Sequence, residues 1–156
     1  MSLVPDEIVP ANERYAAGFA KGDLPMPPGR KFAVVTCMDA RLDPAKFLGL
    51  EEGDAHVIRN AGGIVTDDAL RSLVISHNLL GTEEVLVIGH TDCGMLTFTD
   101  ADVQEKLGTD MDFHAFADLE ARVAESVAAV RASDLVPDKV TGFVYEVETG
   151  RLREVA

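Results

Sequence analysis

Cysteine and basic side chains are scarce in this chain of 156 residues: it has two cysteines, and 14 lysines and arginines stand against 27 aspartates and glutamates. The formal charge of −13 at pH 7 would repel a nucleic-acid backbone or an anionic membrane surface, so neither is an expected partner. No apolar run approaches the roughly 20 residues that span a bilayer. The opening Met1-Ser2-Leu3-Val4-Pro5-Asp6-Glu7 also lacks a basic region followed by an apolar stretch. A cytoplasmic location is therefore expected, where both thiols stay reduced. There is no Cys-x-x-Cys pair, which argues against a thiol-redox role. Repeats and low-complexity tracts are absent. The length and the 47% hydrophobic content predict one compact domain over residues 1–156.

Both cysteines lie in short motifs that follow apolar, β-branched runs. Phe32-Ala33-Val34-Val35-Thr36 leads into Cys37-Met38-Asp39-Ala40-Arg41, and Val85-Leu86-Val87-Ile88-Gly89 leads into His90-Thr91-Asp92-Cys93-Gly94. The runs read as buried parallel strands, whose carboxyl ends are where an open α/β sheet carries its chemistry. Cys37, His90 and Cys93 together offer two thiolates and an imidazole, a donor set for Zn2+ that leaves a fourth tetrahedral position for water. Two thiolates cancel the charge of the ion, so this zinc is a weaker Lewis acid than one held by three imidazoles. Alternation along an extended segment would place Asp39 and Arg41 on the same side as Cys37.

Cys-x-Asp-x-Arg after a first strand, Arg-Asn-Ala-Gly at 59–62 and His-x-x-Cys-Gly after a later strand resemble the β-class carbonic anhydrases. The likeness runs from about Arg30 to Val147 and is nearest to short bacterial members carrying Cys-Met-Asp-Ala-Arg and His-Thr-Asp-Cys-Gly-Met. It implies zinc ligation by Cys37, His90 and Cys93, with Asp39 and Arg41 as the catalytic pair and Asp39 able to become a fourth ligand in a closed site. The implied activity is reversible hydration of carbon dioxide to bicarbonate and a proton by zinc-bound hydroxide, a lyase reaction that needs no organic cofactor. The implied assembly is a homodimer or a dimer of dimers. One departure stands out: many members carry a substrate-binding glutamine before the first strand, and Pro25-Met26-Pro27-Pro28-Gly29-Arg30 has none.

The pattern predicts an α/β fold with a mostly parallel central sheet in the order 2-1-3-4, helices on both faces and an N-terminal helical arm over residues 1–22. Within the arm, Ile8, Ala11, Tyr15 and Phe19 form an apolar stripe over a helix at 6–21 that Gly22 ends. Strands are expected at 32–36, 55–59, 84–89 and 140–147, and Glu148-Thr149-Gly150 can turn the chain into an antiparallel edge at 152–155. Asp43-Pro44 starts a short helix to Leu50 and Thr66 caps one to about Leu80, with further helices at 100–107 and 115–132. Strands one and three are neighbours at the switch point of this order, so the two motifs meet.

Other features support more than one reading. Arg59-Asn60-Ala61-Gly62-Gly63 is either a tight turn or a place where Gly62 and Gly63 let the backbone approach the substrate pocket. His56 and His77 suit packing, and His114 suits a helix start or interface better than a proton relay. Asp92 reads as a turn residue, and the acidic run at 51–54 as a solvated loop. Two functional alternatives remain: hydrolysis of carbonyl sulfide or carbon disulfide at the same site, and a zinc-stabilised binding or sensor module in which Asp39 fills the fourth position permanently.

Overall fold

The computed structural model describes residues 3–156, so the first two residues of the predicted arm lie outside the described residues. Four segments rich in β-branched or apolar residues and one polar edge segment become strands: β1 (Phe32–Cys37), β2 (Ala55–Asn60), β3 (Glu84–His90), β4 (Val140–Glu146) and, at the edge, β5 (Arg151–Glu154). They form one sheet in the order β2-β1-β3-β4-β5. The first four are parallel, and β5 returns antiparallel beside β4, as the turn at 148–150 predicts.

Short polar caps set the helix starts. Asp43 accepts from the Lys46 amide before α2 (Pro44–Leu48), and Gly49 ends that helix at φ +63°. Thr66 accepts from Ala69 N at the start of α3 (Asp67–Asn78), and Thr99 with Asp102 forms a capping box on α4 (Asp100–Leu107). α5 covers Leu119–Arg131 behind its cap, Asp118. It begins four residues later than the periodicity predicts. The Asp100 carboxylate accepts the Phe113, His114 and Ala115 amides at 2.7, 3.2 and 2.8 Å, and His114 sits at φ +58°, so that stretch is held as a loop.

α3 and α5 share one face of the sheet, where Leu73 of α3 and Val123, Val127 and Val130 of α5 pack on Ala33, Val35, Val85, Val87 and Val144. Each of the buried Leu and Val side chains contributes on the order of 1.5–3 kcal/mol. Gly89 and Gly142 let α5 sit this close, since a Cβ on either would lie 2.8 Å from a Val123 methyl. On the opposite face, Phe47 of α2 stacks on Tyr145 with ring centroids 4.4 Å apart.

The arm differs in extent from its expected bounds. Its helix, α1, covers Leu3–Ala17, with Pro10 inside it, and gives way to a turn at Gly18 rather than Gly22. Phe19 therefore lies past the helix, with its ring still 5.6 Å from that of Tyr15. Ile8, Val9 and Tyr15 are each more than half exposed. The acidic loop at 51–54 anchors the connector, because Glu51 and Glu52 both pair with Lys21.

Gly63 marks the tightest approach in the loop after β2. It adopts φ +63°, and a Cβ there would lie 2.8 Å from Cys37 N and 2.9 Å from the Thr36 carbonyl carbon. Backbone cannot yield as a side-chain tip would. Gly63→Ala is expected to lower stability by about 2 kcal/mol or more, read in urea as a lower midpoint at unchanged slope.

Candidate metal centre

The parallel pairing of β1 with β3 runs from Phe32 opposite Glu84 to Thr36 opposite Ile88. It brings Cys37, the last residue of β1, to the same end of the sheet as His90, the last residue of β3. Cys93 follows in the turn that leads to a single 3-10 turn at Gly94–Leu96. The ligand atoms of Cys37, His90 and Cys93 all lie within 4.8 Å of one another, and all three residues are buried. Both cysteines are free thiols.

The imidazole is set for a metal by its own backbone. His90 Nδ1 lies 2.8 Å from the Thr91 carbonyl and donates to it, which places the free lone pair on Nε2. That Nε2 is buried and has no hydrogen-bond partner. An orphaned buried acceptor beside two thiols is a costly arrangement that a bound cation relieves. The electrostatics of the sulfurs point the same way. The Cys37 thiol is held well below its ordinary range, chiefly by a hydrogen bond from Cys93, with the backbone amides of Asp39 and Gly62 helping. Cys93 is raised because it holds the proton that the pair shares. Two sulfurs and one nitrogen converging this closely fit zinc, which would take one further ligand.

Asp39 and Arg41 meet at this centre, although not through extended alternation. The chain turns after Cys37, with Leu42 N bonded to Asp39 O at 3.0 Å, and the turn folds Arg41 back onto Asp39. Asp39 Oδ1 accepts from Arg41 N and Nε at 2.9 and 3.0 Å, and Oδ2 accepts from NH2 at 2.8 Å. The guanidinium and the Arg41 amide hold the Asp39 carboxyl well below the usual carboxylate range. Asp39 Oδ2 lies 3.8 Å from His90 Nε2, so the carboxylate stands beside the three donor atoms that would hold the metal.

Three further residues hold the site in ways the sequence reading does not assign. Arg59 clamps the 37–42 turn by donating to the carbonyls of Cys37, Asp39 and Leu42 at 2.9, 2.8 and 3.1 Å. Asn60 closes its own loop through two bonds to Ile64, of 2.7 and 2.9 Å, and the Gly62 amide within that loop reaches the Cys37 sulfur. Gly62 and Gly63 both take positive φ in this turn, of +92° and +63°, and Gly63 packs on the β1 backbone at Thr36 and Cys37. Asp92 does occupy a turn, at φ +54°, and also pairs with Arg41. His56 bonds Ser76 at 2.7 Å, His77 bonds the Thr82 carbonyl at 2.6 Å, and His114 pairs with Asp112. Among the described residues no helix is long and apolar enough to cross a membrane.

Comparison with known proteins agrees with this geometry. A family model described as carbonic anhydrase matches residues 32–134. Beta-carbonic anhydrase 1 of Mycobacterium tuberculosis is 48% identical over 97% of this chain and 98% of its own length. A carbon disulfide hydrolase of Saccharolobus solfataricus is 37% identical over 96% of this chain and 87% of its own. The crystal structure of carbonic anhydrase from Streptococcus mutans superposes with a TM-score of 0.92 at 46% identity, covering 100% of this chain and 99% of that one. The chain belongs to the β-carbonic anhydrase family.

Purified protein is expected to carry about one zinc per chain, and Cys37→Ala, His90→Ala and Cys93→Ala each to lose it when metal is quantified by mass spectrometry. Arg41→Ala should keep it. Full occupancy in the Cys93 variant would remove that residue from the ligand set.

Proposed function

We propose that this chain catalyses the reversible hydration of carbon dioxide to bicarbonate and a proton, with zinc held by Cys37, His90 and Cys93. The observation that carries the reading is the Asp39 carboxylate 3.8 Å from the orphaned His90 Nε2, fixed there by Arg41. Bound zinc supplies the Lewis acidity that makes water a nucleophile near neutral pH. The side chains do the rest. Asp39 stays ionised and accepts a hydrogen bond from the attacking water, which orients its lone pair toward the carbon. Arg41 occupies both Asp39 oxygens and so keeps the carboxylate from closing the fourth position. The Gly62 and Asp39 amides stabilise the Cys37 thiolate as a ligand. Apolar side chains around the cysteines, among them Leu42, Met95, Phe98 and Phe116, suit a small apolar substrate and exclude bulk water.

Two thiolates make the centre a weaker Lewis acid than three imidazoles, so hydration should rise with pH through and above neutrality. Arg41→Ala frees Asp39 to take the fourth position. We expect it to lower kcat/KM by about a hundredfold at unchanged zinc content, the scale on which loss of a group that orients a metal site is felt. Stopped-flow hydration on metal-quantified protein from pH 6 to 9 checks both. Undiminished turnover in the variant would contradict the role of the pair. Relatives named carbon disulfide hydrolase favour a second reading, in which the same site hydrolyses carbon disulfide. Assay of both substrates on one preparation decides between them.

The reading extends to the whole chain as one catalytic domain that acts in the cytoplasm as a homodimer, or as a dimer of dimers. Supporting the assembly is the arm helix, whose Ile8, Val9 and Tyr15 lie open to solvent in a single chain. Deleting residues 1–22 should shift the species seen in sedimentation velocity at micromolar concentration from dimer to monomer. A monomeric full-length protein would contradict it.

A further inference from the structure

The Asp39–Arg41 pair does not stand alone. Arg41 NH1 donates to Asp92 Oδ2 at 2.8 Å, and NH2, already bonded to Asp39 Oδ2, donates also to the Asp92 carbonyl at 2.9 Å. The guanidinium is therefore gripped on two edges, by Asp39 through Nε and NH2 and by Asp92 through NH1 and NH2. Planarity makes such a double grip effective, because fixing two edges of a rigid fork fixes its plane and its distance from both carboxylates. The Arg41 side chain is 48% exposed, so little packing would otherwise hold it. Asp92 itself lies between the ligands His90 and Cys93 and is committed to its position by φ +54°. Asp and Asn adopt that conformation readily among residues with a Cβ.

We propose that Asp92 is a positioning residue for carbon dioxide hydration: it anchors Arg41, and through Arg41 keeps the Asp39 carboxylate beside the fourth position rather than in it. The first ligand loop supplies Cys37, Asp39 and Arg41, and the second supplies His90, Asp92 and Cys93. The guanidinium is the bolt between them. Without the Asp92 carboxylate, one edge of Arg41 faces solvent, its rotamers multiply, and Asp39 is released for part of the time. The backbone carbonyl of Asp92 survives any substitution, so the loss is partial, whereas removal of Arg41 releases Asp39 entirely.

The proposal rests on the carbon dioxide reading, and its test separates the two. Asp92→Asn keeps size and tolerance of positive φ while removing the charge; Asp92→Gly suits the same backbone and removes the side chain. Both are made in the full-length, zinc-loaded protein. Each is expected to lower kcat/KM for hydration by about three- to tenfold, with zinc content and Tm unchanged. In the same samples, hydrogen exchange of the Arg41 Nε–H, followed by NMR, should quicken by about fivefold or more, because the guanidinium has lost one of its two grips. A rate within about 1.5-fold of wild type, or a lost rate with unchanged Nε–H exchange, overturns the proposal. So does a loss accompanied by zinc release or a lowered Tm, which would make Asp92 a turn residue alone. If fully loaded wild-type protein hydrates no carbon dioxide, the functional reading fails, and Nε–H exchange still decides whether Asp92 holds Arg41.

Discussion

The parallel register of β1 on β3 is the constraint on which the site depends. Thr36 pairs with Ile88, and its buried hydroxyl donates to the Ile88 carbonyl at 2.9 Å, tying the two strands together one residue before Cys37 and two before His90. A slip of one residue would turn Cys37 and the core valines of β1 to the opposite faces at once. The register is secured from the core side as well, since Ala33, Val35, Val85 and Val87 all pack in the layer under α3 and α5. The chemistry is thus held in place by aliphatic packing some distance from it.

Above that frame, the site balances charge in a small volume. Two sulfurs and an imidazole suit a dication, and Asp39 places a third anionic group 3.8 Å from His90 Nε2. Arg41 holds that carboxylate with a rigid, permanently charged fork that bonds both of its oxygens. Backbone groups settle the remaining demands: the Thr91 carbonyl selects the His90 tautomer, and the Gly62 amide favours the Cys37 thiolate. Arg59 and Asn60 act on the backbone: they set the turn that carries Asp39 and the loop that carries Gly62.

Much of this is legible in the sequence because it depends on local patterns. Apolar runs name the strands, Asp43, Thr66 and Thr99 name helix starts, and the spacing of Cys37, His90 and Cys93 with the sheet order names the centre. What escapes the pattern is long-range pairing. Asp92 lies 51 positions from Arg41, and its left-handed turn conformation is a sufficient local explanation that conceals the ion pair. Arg59 reads as the polar end of a strand until the turn it clamps is seen. Periodicity starts a helix at Ala115, but Asp100, 15 residues earlier, takes the Ala115 amide and delays the helix to Leu119. In the arm, apolar spacing continues to Phe19 although the helix stops at Ala17, because side-chain periodicity does not report where backbone hydrogen bonding ends.

The central claim is that one buried site at the ends of β1 and β3 holds zinc with two thiolates and one imidazole. X-ray absorption at the zinc edge of the purified, metal-loaded protein tests it most directly. Two sulfur scatterers at about 2.3 Å, one imidazole nitrogen at about 2.0 Å and a single further light atom are expected. A shell of nitrogen and oxygen alone, or one with four sulfurs, would contradict it.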